Sequence, residues 1–98
     1  MIVIRIELAA KAENQAALVG YFKEEAERNK TSQGCIAYQL YQDVSETNGF
    51  LLYEEWESME SFAVYKHSEG FRKLMATVFP LLEGKPDSVY YSGEVVGP

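Results

Sequence analysis

FLLYEEWESMESFAVYKHSEGF, residues 50–71, is the stretch on which the fold turns. An apolar run carrying Tyr53, Glu54 and Trp56 stops at Ser58. Ser58 is a good N-cap, and Glu60 in the following turn suits the positive end of a helix dipole. Phe62, Tyr65 and Phe71 then fall at helical spacing. The stretch therefore predicts a strand that feeds a helix directly, with Trp, Tyr and His side chains at the joint. Such a joint is suited to walling a small aromatic-lined pocket.

On the N-terminal side, Ile2, Ile4, Ile6 and Leu8 alternate with Val3, Arg5 and Glu7, which predicts a strand. Residues 13–30 read as a helix with Leu18, Tyr21, Phe22 and Ala26 on one stripe and Glu24 spaced to pair with Arg28. Residues 31–34 form a turn stopped by Gly34, and 35–43 form a second strand. Asn48-Gly49 signals a hairpin with a loop longer than two residues before the third strand, residues 50–57. The helix that starts at Ser58 is expected to run to His67 and then to bend or restart at Ser68, because Gly70 weakens it there. Phe71, Leu74, Met75 and Val78 give a clear apolar stripe, Pro80 ends it, and residues 89–96 read as the fourth strand.

The order β-α-β-β-α-β predicts an α+β, ferredoxin-like domain over residues 1–98, with a four-stranded antiparallel sheet and both helices on one face. Tyr38 and Tyr41 must point to opposite faces of their strand, and so must Tyr90 and Tyr91. Large aromatics on both faces do not suit a sheet with one wet side. A second copy packed sheet against sheet would cover the bare face, so a homodimer of barrel-like form is expected.

Composition narrows the function. Fifteen acids against nine bases give a net charge of −6, and no Lys/Arg stripe reverses it locally. Nucleic acids and anionic membrane surfaces are poor partners for such a chain. One cysteine, Cys35, allows no internal disulfide and no thiolate zinc cluster, and one histidine, His67, allows no multi-histidine metal site. No signal-peptide pattern and no apolar run of membrane-spanning length is present, so the expected location is the cytoplasm.

Gly34-Cys35 followed by Tyr38 and Leu40, then Tyr53-Glu54-x-Trp56-Glu57-Ser58, then Phe71, resembles the antibiotic biosynthesis monooxygenase (ABM) family. The resemblance covers nearly the whole chain, and its C-terminal half is most similar to the quinol monooxygenase-like and autoinducer-2-processing branch. It implies a dimeric α+β barrel that oxygenates a small phenolic or quinol-like substrate with molecular oxygen and without metal, flavin or haem. Many members carry a helical H-x-x-[S/T]-x-H pattern. Here Tyr65 and Gly70 stand at the two histidine places, Ser68 matches the middle, and His67 lies two residues off register. The Asn-Trp-His triad of haem-degrading relatives would fall near Ile4 or Arg5, at Tyr65 and at Met75, so it is missing.

The candidate site follows from both lines of reasoning. Tyr65 is a possible hydrogen-bond donor at the family's histidine place, or ordinary packing on a helix stripe. His67 carries the one side chain suited unperturbed to proton transfer near neutrality, yet a helix bend is also where a capping or surface histidine sits. Glu54 shares a strand face with Trp56 and is either a base or a structural hydrogen-bond partner. Trp56, Phe62, Tyr53, Phe71 and Met75 are expected walls, with Trp56 equally placed to fill the core. Cys35 is expected to be inert, and Arg5 to pair across a dimer or hold an anion. Two further functions stay open at this level: isomerisation of a small carbonyl compound, and a non-catalytic dimeric binding module.

Overall fold

Side chains of Ile4, Leu8, Phe50, Leu52 and Trp56 alternate along two neighbouring strands and are buried on one face. These strands are the centre of a sheet in a computed structural model that describes residues 1–98. The elements are β1 (Ile2–Ala9), α1 (Ala12–Asn29), β2 (Cys35–Gln42), β3 (Gly49–Trp56), α2 (Met59–Lys66), α3 (Glu69–Val78), a 3₁₀ turn (Phe79–Leu81) and β4 (Asp87–Ser92). The sheet is antiparallel at every pairing, in the order β2-β3-β1-β4. This is the expected ferredoxin-like arrangement, with the second helix divided in two. No helix is long and apolar enough to cross a membrane.

The division is a consequence of local capping. Ser58 and Ser61 form a reciprocal capping box that starts α2. Ser68 then caps α3: its hydroxyl donates to the Tyr65 carbonyl at 2.6 Å and accepts the Phe71 N–H at 3.1 Å. One serine thereby closes one helix and opens the next, turning Phe71, Leu74, Met75 and Val78 back onto the core.

Three expectations need correction. Tyr21 was expected on the buried stripe of α1 but is exposed, and the stripe runs through Leu18, Phe22, Glu25 and Asn29. At about 100° per residue, Glu25 returns to within roughly 20° of Leu18 while Tyr21 stands roughly 60° away. Arg28 pairs with Glu25 and not with Glu24, because the carboxylate on the buried face is the one that needs a partner. The fourth strand covers Asp87–Ser92 and not 89–96; its ladder stops where β1 begins, at Ile2 opposite Ser92.

Register assigns the faces. Tyr38, Glu54, Ile4 and Tyr90 form one cross-strand row pointing to the helices. Gln39, Tyr53, Arg5 and Val89 form the next row on the opposite, uncovered face, which also carries Val3, Tyr41, Leu51 and Tyr91. Tyr38 and Tyr41 therefore do diverge, as do Tyr90 and Tyr91.

Candidate active site

Glu54 is 3% exposed, a carboxyl group in the middle of an apolar row. It lines a cavity of about 200 Å³ between the sheet and the helices. Phe62, Phe71, Met75 and Tyr38 form much of the wall, and Lys66, Ser88 and Tyr90 supply polar groups from α2 and β4. The Trp56 indole N–H donates to Glu54 Oε1 at 2.9 Å. Burial pushes the Glu54 carboxyl up to about 7, against the Trp56 hydrogen bond, which lowers it; the charge on Glu25 adds to the rise. A carboxyl poised there exchanges a proton readily near neutrality.

The wall behind Glu54 is an aromatic stack. Tyr65 lies nearly flat on Trp56, with centroids 4.9 Å apart and planes at 26°, and meets Phe71 edge-on at 5.3 Å. Phe62 packs against Trp56 at 5.8 Å and against Tyr90 at 5.7 Å. The Tyr65 hydroxyl donates to Glu25 Oε2, away from the Glu54 cavity. Burial, then the bond to Glu25, holds the Tyr65 phenol far above the ordinary range, and burial does the same for Tyr38. Both rings are therefore neutral donors, not bases.

Tyr65, Trp56 and Phe71 have a second side. With Glu25, Arg28, Asn29, Ser61 and Ser68 they line a surface cleft of about 320 Å³ between the end of α1 and the α2–α3 joint. Arg28 donates to Glu25 Oε1 from two nitrogens, at 2.7 and 3.0 Å. Asn29 accepts from the Ser32 hydroxyl at 2.8 Å, while its buried Nδ2 has no partner.

The expected residues thus separate into groups. Glu54, Phe62, Phe71 and Met75 line the cavity, Trp56 holds Glu54, and Tyr65 backs Trp56. Tyr53 is on the uncovered sheet face, bonded through its hydroxyl to Glu55, so it is not a wall of this cavity. His67 caps the end of α2 in an exposed position and lines neither space. Cys35 is half-buried, with burial pushing its thiol up to about 11. Glu25 and Lys66 lie outside the residues to which the sequence pattern points. Glu25 had one available signal: it sits seven residues after Leu18, in phase with the buried stripe. No three His, Cys, Asp or Glu side chains converge at metal-binding spacing.

A helix-covered antiparallel sheet with an apolar cavity against it is shared with many proteins, and sequence decides among them. The family profile for antibiotic biosynthesis monooxygenase matches residues 1–77. The chain belongs to the antibiotic biosynthesis monooxygenase family. Several proteins of solved structure superpose closely. One from Deinococcus radiodurans that carries the family's name is 22% identical, with a TM-score of 0.91 over 100% of this chain and 98% of that one. Another from Nitrosomonas europaea is 19% identical, with a TM-score of 0.88 over 95% and 98% of the two chains. A conserved protein of Methanosarcina mazei, 20% identical, gives a TM-score of 0.90 over 95% and 92%. At these identities the likeness is one of fold. No protein with a curated description matches the sequence. In this ABM chain the place that resembles the family's first histidine is filled by Tyr65, whose hydroxyl is committed to Glu25.

Proposed function

We infer that this chain is a cofactor-independent monooxygenase of a small phenolic or quinol-type substrate. The observation that carries the reading is Glu54: a buried carboxyl lifted to about 7 on the wall of an otherwise apolar cavity in an ABM-family fold. Glu54 is the proton acceptor; Phe62, Phe71 and Met75 enclose the ring; Trp56 orients the carboxylate. Tyr65 supports Trp56 from behind. His67 and Tyr53 take no part. The cavity is smaller than the roughly 300–1,000 Å³ of drug-sized ligand sites, which favours one ring or two fused rings.

The chemistry asks little of the protein. Glu54 takes the phenolic proton, and the phenolate passes one electron to O₂, giving a phenoxyl radical and superoxide. Their recombination at a ring carbon forms a C–O bond and a peroxide. Loss of the proton from that carbon and cleavage of the O–O bond leave a quinone carbonyl. The second oxygen departs as water, taking up the protons released. The substrate supplies every electron, so a phenol and O₂ become a quinone and water. A dry apolar wall favours the anion's oxidation by denying it hydration.

The same reading includes a homodimer built on the uncovered sheet face. Val3, Leu51, Tyr53, Val89 and Tyr91 give that face its apolar area, with Arg5, Glu7 and Glu55 set among them, and the helices all lie on the other side.

Oxygen uptake with hydroquinones and naphthols, run with ¹⁸O₂, tests the activity. One labelled atom in the product and loss of uptake in Glu54→Gln are the expected results. No uptake above the enzyme-free rate with any of them rejects the oxygenase; solvent exchange of a carbonyl compound's α-proton would then indicate an isomerase, and ligand binding alone a binding module.

A further inference from the structure

Glu25 is 2% exposed and lies on a helix that contributes nothing else charged to the core. A buried carboxylate is costly unless it is fully hydrogen-bonded. This one is held by Arg28 on one oxygen and by the Tyr65 hydroxyl on the other. Tyr65 is stacked on Trp56, and Trp56 donates to Glu54. A continuous series of contacts, Arg28–Glu25–Tyr65–Trp56–Glu54, therefore leads from the surface cleft to the cavity. A bond from α1 to α2 across forty positions of sequence is an expensive way to fill a core, since an apolar pair would pack as well without desolvating a charge.

We propose that Glu25 is a positioning residue for Glu54, acting through Tyr65 and Trp56, so that the proton acceptor of the cavity is set by a carboxylate outside it. The proposal rests on the role given to Glu54 above. Glu25 does two things. Its bond to the Tyr65 hydroxyl holds that ring flat against the indole, which keeps the indole N–H aimed at Glu54. Its negative charge, only partly offset by the half-exposed Arg28, opposes ionisation of Glu54. The other groups around Glu54 are Cys35 and Tyr38 on β2, Tyr65 and Lys66 on α2, and Tyr90 on β4; β1 contributes Ile4, and α3 contributes Phe71 and Met75. Cys35, Tyr38 and Tyr65 are held protonated by their burial, which leaves Glu25 as the charge that acts on Glu54.

The chain has one tryptophan, so its indole N–H gives a single NMR resonance beside Glu54. With ¹³C-carboxyl glutamate, the Glu54 signal is identified by its loss in Glu54→Gln. In the unaltered protein both signals should titrate together near pH 7. Glu25→Gln keeps an acceptor for Tyr65 and Arg28 but removes the charge, and it should lower that common midpoint by roughly 0.5 to 1 pH unit. A midpoint unchanged within about 0.2 unit in a folded Glu25→Gln protein overturns the proposal. Should that variant not fold, Tyr65→Phe keeps the ring and cuts the tie. Solvent exchange of the Trp56 indole proton should then quicken at least about tenfold, and unchanged exchange overturns the proposal. Neither measurement needs substrate. Coupling seen without oxygen uptake keeps this inference and removes the oxygenase reading.

Discussion

Trp56 and Glu54 face the same way from β3, two residues apart, and the 2.9 Å bond from indole to carboxylate is the only hydrogen bond that Glu54 receives from a side chain. Without it the carboxyl would be a buried acid with no partner. With it, the group stays close enough to its ordinary range to gain and lose a proton near neutrality. Burial and hydrogen bonding oppose each other here, and burial is the larger effect.

Activity should therefore rise with pH to a plateau, with a midpoint near 7 in kcat/KM for the free protein, since the working form of Glu54 is the carboxylate. Oxygen uptake measured from pH 5 to 9 checks this. A flat profile across that range would remove Glu54 as the base.

Stability should run the other way. Glu54 has an ordinary value of 4.5 in the unfolded chain and about 7 in the folded one. Between these values the folded state holds the extra proton, so the group's contribution is complete below about 4.5 and is lost as pH rises through 7. The full difference is about 3 kcal/mol. Glu54→Gln keeps the acceptor for Trp56 and has no charge to bury. It should match the parent at pH 4, below the unfolded value, and melt at a higher temperature at pH 8, while losing turnover.

Trp56→Phe removes the donor that favours the carboxylate. The midpoint of activity should move above 7, and the smaller ring should also cost roughly 1–3 kcal/mol of stability. A pH titration alongside urea unfolding separates the two effects.

His67→Ala should leave both turnover and stability within experimental error, about 0.5 kcal/mol for the latter, because the side chain is exposed at the end of α2 and lines neither space. A tenfold loss of kcat would return His67 to the list of candidate bases and show that the helix joint rearranges around substrate.

Gly34→Ala should be severe. Gly34 has φ +83°, and a Cβ there would stand 2.4 Å from Ser61 Cβ. Its carbonyl also accepts the Glu57 N–H at 2.8 Å, just ahead of the Ser58 cap. Loss of roughly 2 kcal/mol or more in chemical denaturation is expected, from the left-handed backbone and the clash together.

Leu51→Asp combined with Tyr53→Asp replaces apolar area on the uncovered sheet face with charge and leaves the cavity untouched. Sedimentation at micromolar concentration should give a dimer for the parent, with an interface above about 1,000 Å², and a monomer for the variant. A monomeric parent would sink the dimer.

Period and punctuation made most of the architecture legible. The two-residue alternation of Ile2, Ile4, Ile6 and Leu8, the Ser58 and Ser68 caps and the Asn48-Gly49 loop are local devices, and each acts on neighbours in the chain. The pairing of Glu54 with Trp56 belongs to the same class, because strand pleat alone puts residues two apart on one face. Which of several ionisable side chains face one cavity is a different kind of question. Strand pleat also turns Tyr53 away from Glu54 and Trp56, against its expected place on the wall, whereas only the end of α2 leaves His67 in solvent. Glu25 lies 40 residues from Tyr65, and only the tertiary fold brings the two into contact. Its burial depends on Arg28 and Tyr65 arriving at the same place, which no local period encodes. The sequence alone determined the elements and their order; the tertiary structure decided which strand face is covered and which carboxylates are desolvated, and desolvation is what sets their chemistry.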